Sequence, residues 1–138
     1  MKKTIPSLAA ILAVTAVTAV PTVAQAELAF NVGAVTDYRY RGISQTRLKP
    51  AIQGGIDFSA GGFYLGTWAS SIKWIKDAGG NSDAEIDFYG GYKGEIAKDL
   101  AYDVGVLRYQ YFDHDLAVSP NTTEVYGALT FGPATLKY

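Results

Sequence analysis

From Glu27 to Tyr138 the chain alternates apolar and polar residues in segments of about ten, and no stretch holds a helical period. The clearest segment covers residues 28–41. Leu28, Phe30, Val32, Ala34, Thr36, Tyr38 and Tyr40 fall on one face, and Ala29, Asn31, Gly33, Val35, Asp37, Arg39 and Arg41 on the other. Successive side chains of a strand point to opposite sides, so this spacing predicts one apolar wall and one increasingly charged wall. Residues 51–58 repeat the scheme, with Ile52, Ile56 and Phe58 against Gln53 and Asp57. Residues 63–72 are apolar on both faces, and their sides stay unassigned. Residues 84–94 set Ala84, Ile86, Phe88 and Tyr92 against Glu85, Asp87, Tyr89 and Lys93. Residues 100–112 set Tyr102, Val104 and Val106 against Asp103, Gly105 and Tyr109, with Arg108 an anomaly on the apolar side. Residues 124–131 oppose Val125, Leu129 and Phe131 to Glu124, Tyr126 and Thr130, and a further strand starts at Thr135. The expectation is an all-β antiparallel meander of six strands and a stub.

The connections alternate in length. Those at 42–50, 73–83 and 113–123 are long and polar, whereas those at 59–62, 95–99 and 132–134 are short. Outer-membrane barrels sort their connections this way, with short turns at one rim and long loops at the other. Predicted strands of about 8 to 14 residues also exceed the usual five or six and match a slanted bilayer crossing. Phe30 and Tyr40, ten residues apart on one face, would stand about 25 Å apart in height at a 40° tilt, the spacing of two aromatic girdles. Phe58, Phe63, Tyr92, Tyr102 and Phe131 would extend the girdle at the short-turn rim. The opposite face is too polar for a sandwich core. The reading is therefore a transmembrane up-and-down barrel over residues 27–138, whose lumen is lined by Asp37, Arg39, Arg41, Asp57, Glu85, Asp87, Lys93, Asp103 and Glu124. These are six carboxylates and three cations, a mild bias toward cation passage. A soluble sheet with one solvated face is the competing explanation.

Composition alters this picture at the ends of the chain and in its chemistry. Met1-Lys2-Lys3, the apolar run from Ile5 to Val23 and Ala24-Gln25-Ala26 have the plan of a secretory signal peptide cleaved after residue 26. Cleavage leaves 112 residues with a net charge of −3, which does not suggest a nucleic-acid partner. Cysteine is absent, which excludes disulfides and thiolate metal sites, and a single histidine excludes most histidine-clustered metal sites. Ten tyrosines and fifteen glycines are unusual for so short a chain. Gly54-Gly55 and Gly90-Gly91 sit inside predicted strands, where glycine permits bends or close packing.

The segments DYRYRGISQT (37–46), KPAIQGGIDF (49–58), GFYLGTWAS (62–70), EIDFYGGYKGE (85–95) and YDVGVLRYQY (102–111) together resemble the bacterial Gcw_chp family of unknown function, also called the TorF family of candidate porins. The resemblance covers residues 27–138. It implies an exported outer-membrane β-barrel, with outer-membrane lipid and small polar solutes or ions as partners, and it brings no catalytic residue. Family members run on past this length, so the resemblance implies an N-terminal portion and an incomplete barrel.

Other constellations carry less. Asp113-His114-Asp115, with Ser119 nearby, is the one place an acid–base or metal site could centre, but neighbours on an extended chain point apart. Asp83, Glu85 and Asp87 would form a carboxylate ladder with steps of about 7 Å, answered by calcium or by Arg39 and Arg41. The five residues together would shape ion passage. Asn121-Thr122-Thr123 matches a glycosylation sequon, discounted in a bacterial loop. No phosphate loop, dinucleotide fingerprint or nucleophile elbow is present. The expected function is a passive pore without enzyme activity, cofactor or metal. The alternatives are a barrel without a pore, structural or lipid-modifying, and a soluble periplasmic β-protein that binds a ligand.

Overall fold

The computed structural model of the chain describes residues 12–16 and 26–138. Its eleven elements are β1 (Leu12–Ala16), β2 (Glu27–Val35), β3 (Arg39–Tyr40), β4 (Ile43–Ser44), β5 (Ala51–Ala60), β6 (Phe63–Ser71), α1 (Trp74–Asp77), β7 (Ala84–Ala97), β8 (Leu100–Gln110), β9 (Thr122–Phe131) and β10 (Ala134–Lys137). Eight strands form one antiparallel sheet in the order β1-β2-β5-β6-β7-β8-β9-β10, and β3 pairs with β4 alone. The sheet is open: β1 and β10 lie at its two ends and do not pair with each other among the described residues. The predicted signal peptide lies largely outside the described residues. Within it, β1 runs antiparallel along β2, with Leu12 opposite Ala34 and Ala16 opposite Phe30.

The six long predicted strands all form, and their bounds shift by a few residues. The sorting of connections also holds. Gly61-Gly62 joins β5 to β6, with φ of 55° and 91°. Two successive positive φ values are the mark of the hairpin turn whose twist matches that of the strands, and glycine adopts them without a Cβ clash.

Two predictions fail locally. The strand expected over residues 28–41 stops at Val35, and the chain bends at Thr36 and Asp37 before the β3–β4 hairpin. Asp37 is the cause. Its carboxylate accepts the hydroxyls of Ser44 and Thr46, while Thr46 Oγ1 accepts the Tyr38 N–H at 3.2 Å. Short polar side chains thereby satisfy backbone and one another in place of a continuing ladder. The second is α1, a single helical turn in a connection read only as long and polar, in a chain where no helical period is expected. Among the described residues no helix is long and apolar enough to cross a membrane.

Cross-strand register extends the alternation of β2 across the whole sheet. Phe30, Ile56, Thr67, Phe88 and Arg108 form one continuous row, and Leu28, Phe58, Leu65, Gly90 and Val106 form the next. Both belong to the apolar face. The sides of β6 now follow: Phe63 and Leu65 join the apolar face, Tyr64, Trp68 and Ser70 the polar one. The large apolar side chains are the exposed ones, with Phe30 at 51% and Leu65 at 64%. Phe63, Tyr92 and Tyr102 meet ring to ring along the short-turn rim of this face, at centroid distances of 4.6 and 6.1 Å. Arg108 sits near the other rim, where Nη1 donates to Thr123 Oγ1 at 3.1 Å and Nε to Gln110 Oε1 at 3.4 Å.

The large buried apolar side chains are not in the sheet, where only Ala51 at the start of β5 is buried among the described apolar residues. Ile72, Ile75 and Tyr111 pack with Tyr38, Trp74, Tyr109 and Leu116 at the long-loop end, where connections 72–83 and 111–121 come together. Backbone bonds tie these loops, from Ile72 N to Asp83 O at 2.8 Å, Lys73 N to Gln45 O at 2.7 Å, and Asn81 N to His114 O at 3.1 Å. A molecule that turns its hydrophobic side outward across the sheet keeps its water-excluded core under the loops.

Candidate functional site: the polar face and its mouth

The polar face is built from tyrosines lying over glycines. Tyr89 on β7 crosses Gly66 on β6 to donate to Asp57 Oδ1 on β5 at 2.5 Å. Tyr64 on β6 crosses Gly91 on β7 to donate to Asp103 Oδ1 on β8 at 2.5 Å. Tyr126 on β9 crosses Gly105 and meets the Tyr64 hydroxyl. A Cβ on Gly66 or Gly105 would lie 2.5 Å from the tyrosine covering it, closer than real contacts allow, and Gly91 is tighter still. Each glycine leaves room for the ring that crosses it, and the phenols of Tyr89 and Tyr64 each satisfy a carboxylate two strands away. The abundance of both residue types thereby acquires a structural reason.

Of the nine residues predicted to line a lumen, six lie on this face: Asp57, Glu85, Asp87, Lys93, Asp103 and Glu124. Lys93 is directly opposite Asp103, and its ammonium lies 5.9 Å from the Tyr64 ring. Asp37, Arg39 and Arg41 are not on the strand wall. They belong to the bend and hairpin at the long-loop mouth, since β2 ends before them. Arg39 Nε lies 2.7 Å from Asp37 Oδ2 as an ion contact, without hydrogen-bond alignment. Tyr40, expected in an outer aromatic girdle, instead sets its ring against Tyr109 at 5.8 Å.

The carboxylate ladder separates into three environments. Asp83 holds two ammonium groups, Lys73 at 2.9 Å and Lys76 at 2.5 Å. Glu85 is buried at 2% exposure and takes one tyrosine hydroxyl on each oxygen, Tyr38 on Oε1 at 2.5 Å and Tyr111 on Oε2. Asp87 is nearly as buried, and its Oδ1 has no hydrogen-bond partner. Neither Arg39 nor Arg41 answers the ladder, and among the described residues no group of three metal-ligating side chains converges. Burial, followed by the hydrogen bond to Glu85, pushes the phenols of Tyr38 and Tyr111 well above the ordinary tyrosine range. Both hydroxyls therefore stay protonated as donors.

Asp113, His114 and Asp115 do not form a site. His114 Nδ1 accepts the Leu116 N–H at 3.0 Å, Asp115 takes the Asn81 amide, and Asp113 and Asp115 have φ of 52°. Ser119 Oγ accepts the Asn121 N–H at 3.3 Å, and Asn121 Oδ1 accepts the Tyr111 N–H at 2.7 Å. These residues shape the loop that carries Tyr111 into place.

Three carboxylates, the half-buried Asp37 and the exposed Asp77 and Asp83, clamp the loops and give the mouth an acid sensitivity. The Ser44 hydroxyl holds Asp37 below its ordinary value, the Arg47 guanidinium does so for Asp77, and Lys76 and Lys73 do so for Asp83. A depressed folded-state value means that the stabilisation is present above the unfolded value near 3.8 and is lost as pH falls through the lower folded one. Limited proteolysis within residues 72–83 is expected to accelerate below about pH 4, and less steeply in an Arg47→Gln variant. An acid profile identical in the two proteins would remove the Arg47–Asp77 contact from the account.

Sequence reasoning did not find the cleft at this mouth. Tyr40, Trp74, Tyr109 and Tyr111 surround a cavity of about 270 Å³ with Glu85 and Glu124 in its wall. Their common signal was aromatic residues flanking the ends of three long connections. That pattern carries no information on which rings meet.

The model of the family described as "Bacterial protein of unknown function (Gcw_chp)" matches residues 19–138. The chain belongs to the Gcw_chp family. No curated protein and no solved structure matches it. For this Gcw_chp chain, the case for a function therefore rests on its two faces and its mouth.

Proposed function

We propose that this Gcw_chp chain forms the wall of an outer-membrane β-barrel that acts as a passive pore for small polar solutes or ions. One observation carries the reading: the exposed face of the sheet holds Leu28, Phe30, Val32, Leu65 and Phe88, while carboxylates and phenols occupy the other. In water, burial of apolar side chains favours the reverse arrangement. In a bilayer, the apolar side is the one in contact with solvent, and the polar side lines the interior. The ring-to-ring row at the short-turn rim and the charged Arg108 near the opposite rim support the same orientation. On this reading residues 1–26 are an export signal whose cleavage would remove β1 from the sheet, and closure of the remaining sheet would remove edges that lipid cannot satisfy.

The strand wall sharpens the expected selectivity. Among the predicted residues, the polar face keeps five carboxylates and one lysine, because both arginines moved to the mouth. Reconstitution into planar bilayers is expected to give single-channel steps with reversal potentials favouring potassium over chloride. Clear anion preference would overturn the selectivity, and folded protein in the membrane without conductance would overturn the pore. Recovery of the full chain in a periplasmic wash would overturn the membrane assignment itself.

A further inference from the structure

The cleft at the mouth has a composition of its own. Tyr40 and Tyr109 meet edge to face at 5.8 Å on one side, and Trp74 and Tyr111 do so at 5.2 Å on another. Glu124 borders the opening with its side chain 37% exposed, whereas Glu85 lies buried in the wall. Electron-rich ring faces beside a carboxylate attract organic cations, by ring quadrupole and by charge at once. The chain itself places such a cation there. Arg41, from a backbone with φ of 48°, puts its guanidinium carbon 5.0 Å from the Tyr40 ring centroid and Nη2 3.4 Å from Glu124 Oε1. Its side chain remains 72% exposed, so it rests at the mouth without being packed there. Two carboxylates border the cleft and Arg41 neutralises one of them.

The geometry points to a binding site for small organic cations of the guanidinium or alkylammonium class, at whose rim Arg41 is an internal competitor for Tyr40 and Glu124. A cavity of about 270 Å³ lies just below the range of drug-sized ligand pockets, which suits a cationic head with a short alkyl chain. Amino-acid side-chain cations and amines have this chemistry, whereas inorganic cations gain less from the rings and anions meet Glu124. The site goes beyond conduction: it exists in a folded protein whether or not current passes.

Titration of the refolded full chain in detergent with n-butylguanidinium tests it, with n-butylurea as the neutral isostere and tryptophan emission as the signal, since Trp74 borders the cleft. A saturable change with the cation and none with the urea is expected. Glu124→Gln should weaken the apparent affinity by about three- to tenfold. Arg41→Ala should strengthen it by a similar factor, because the internal competitor is gone. A merely structural role for Arg41 predicts the opposite sign. Both side chains are solvent-accessible, and if Glu124→Gln does not fold, Arg41→Ala alone decides the matter. No saturable response, an equal response to the urea, or weaker binding in Arg41→Ala would each overturn the proposal.

Discussion

An Ile56→Arg variant is expected to give markedly less folded, membrane-assembled protein. Ile56 lies midway along β5 on the apolar face, between Phe30 and Thr67 on the flanking strands, and is 44% exposed. On the proposed reading this is the middle of the lipid-facing band, where an arginine costs about 2–4 kcal/mol. That is a large part of the stability of a small domain. At the rim the cost falls to about 0–1 kcal/mol, so Phe131→Arg, at the short-turn end of β9, should assemble nearly normally. In a sheet whose apolar face met water, both changes would stay within about 0.5 kcal/mol, as exposed substitutions do. Membrane-fraction yield and the mobility shift between boiled and unboiled samples measure the difference. Equal yields of the two variants would remove the lipid-facing assignment.

The second large effect is expected at Glu85. Glu85→Leu leaves the hydroxyls of Tyr38 and Tyr111 without an acceptor, and each such group costs about 1–3 kcal/mol when it stays buried. Removing the carboxylate also removes the cost of holding a charge away from water, which lowers the net loss. The two effects can be separated. Glu85→Leu should lower the urea midpoint by an amount equivalent to about 2–4 kcal/mol. Adding Tyr38→Phe and Tyr111→Phe should recover most of that loss, since no orphaned hydroxyl then remains. If the triple variant is no more stable than Glu85→Leu, the buried hydrogen bonds are not what holds the loops to the sheet. Tyr111 belongs to the small core beside Ile72 and Ile75, so the loss should appear first at the long-loop end. Faster cleavage within residues 72–83, ahead of global unfolding, reports it.

These expectations rest on features that were unequally legible in the chain. Strand spacing and the direction of each side chain followed from the period of two, which is local and survives every detail of pairing. Lys93 and Asp103 were placed on one face by that period alone, and they are direct cross-strand partners. Residues 63–72 resisted because both faces are apolar there. Only the register with β5 and β7 placed Trp68 and Tyr64 on the polar side. The end of β2 was hidden for another reason. The period continues through Asp37, and the bend depends on Ser44 and Thr46 returning to its carboxylate from seven and nine residues away.

The sequence by itself determined which side of the sheet is apolar, how many long strands there are and which ends carry the loops. All three follow from alternation and turn chemistry within a few residues of each position. Tertiary structure alone decided what the carboxylates meet. Asp57 finds Tyr89, Asp103 finds Tyr64 and Glu85 finds Tyr38 and Tyr111, over separations of 26 to 47 residues. Tertiary structure also brought the rings of three connections to one mouth. A tyrosine's ring reaches across a neighbouring strand only where a glycine leaves room, and that coincidence is set by register between strands, which no single strand encodes.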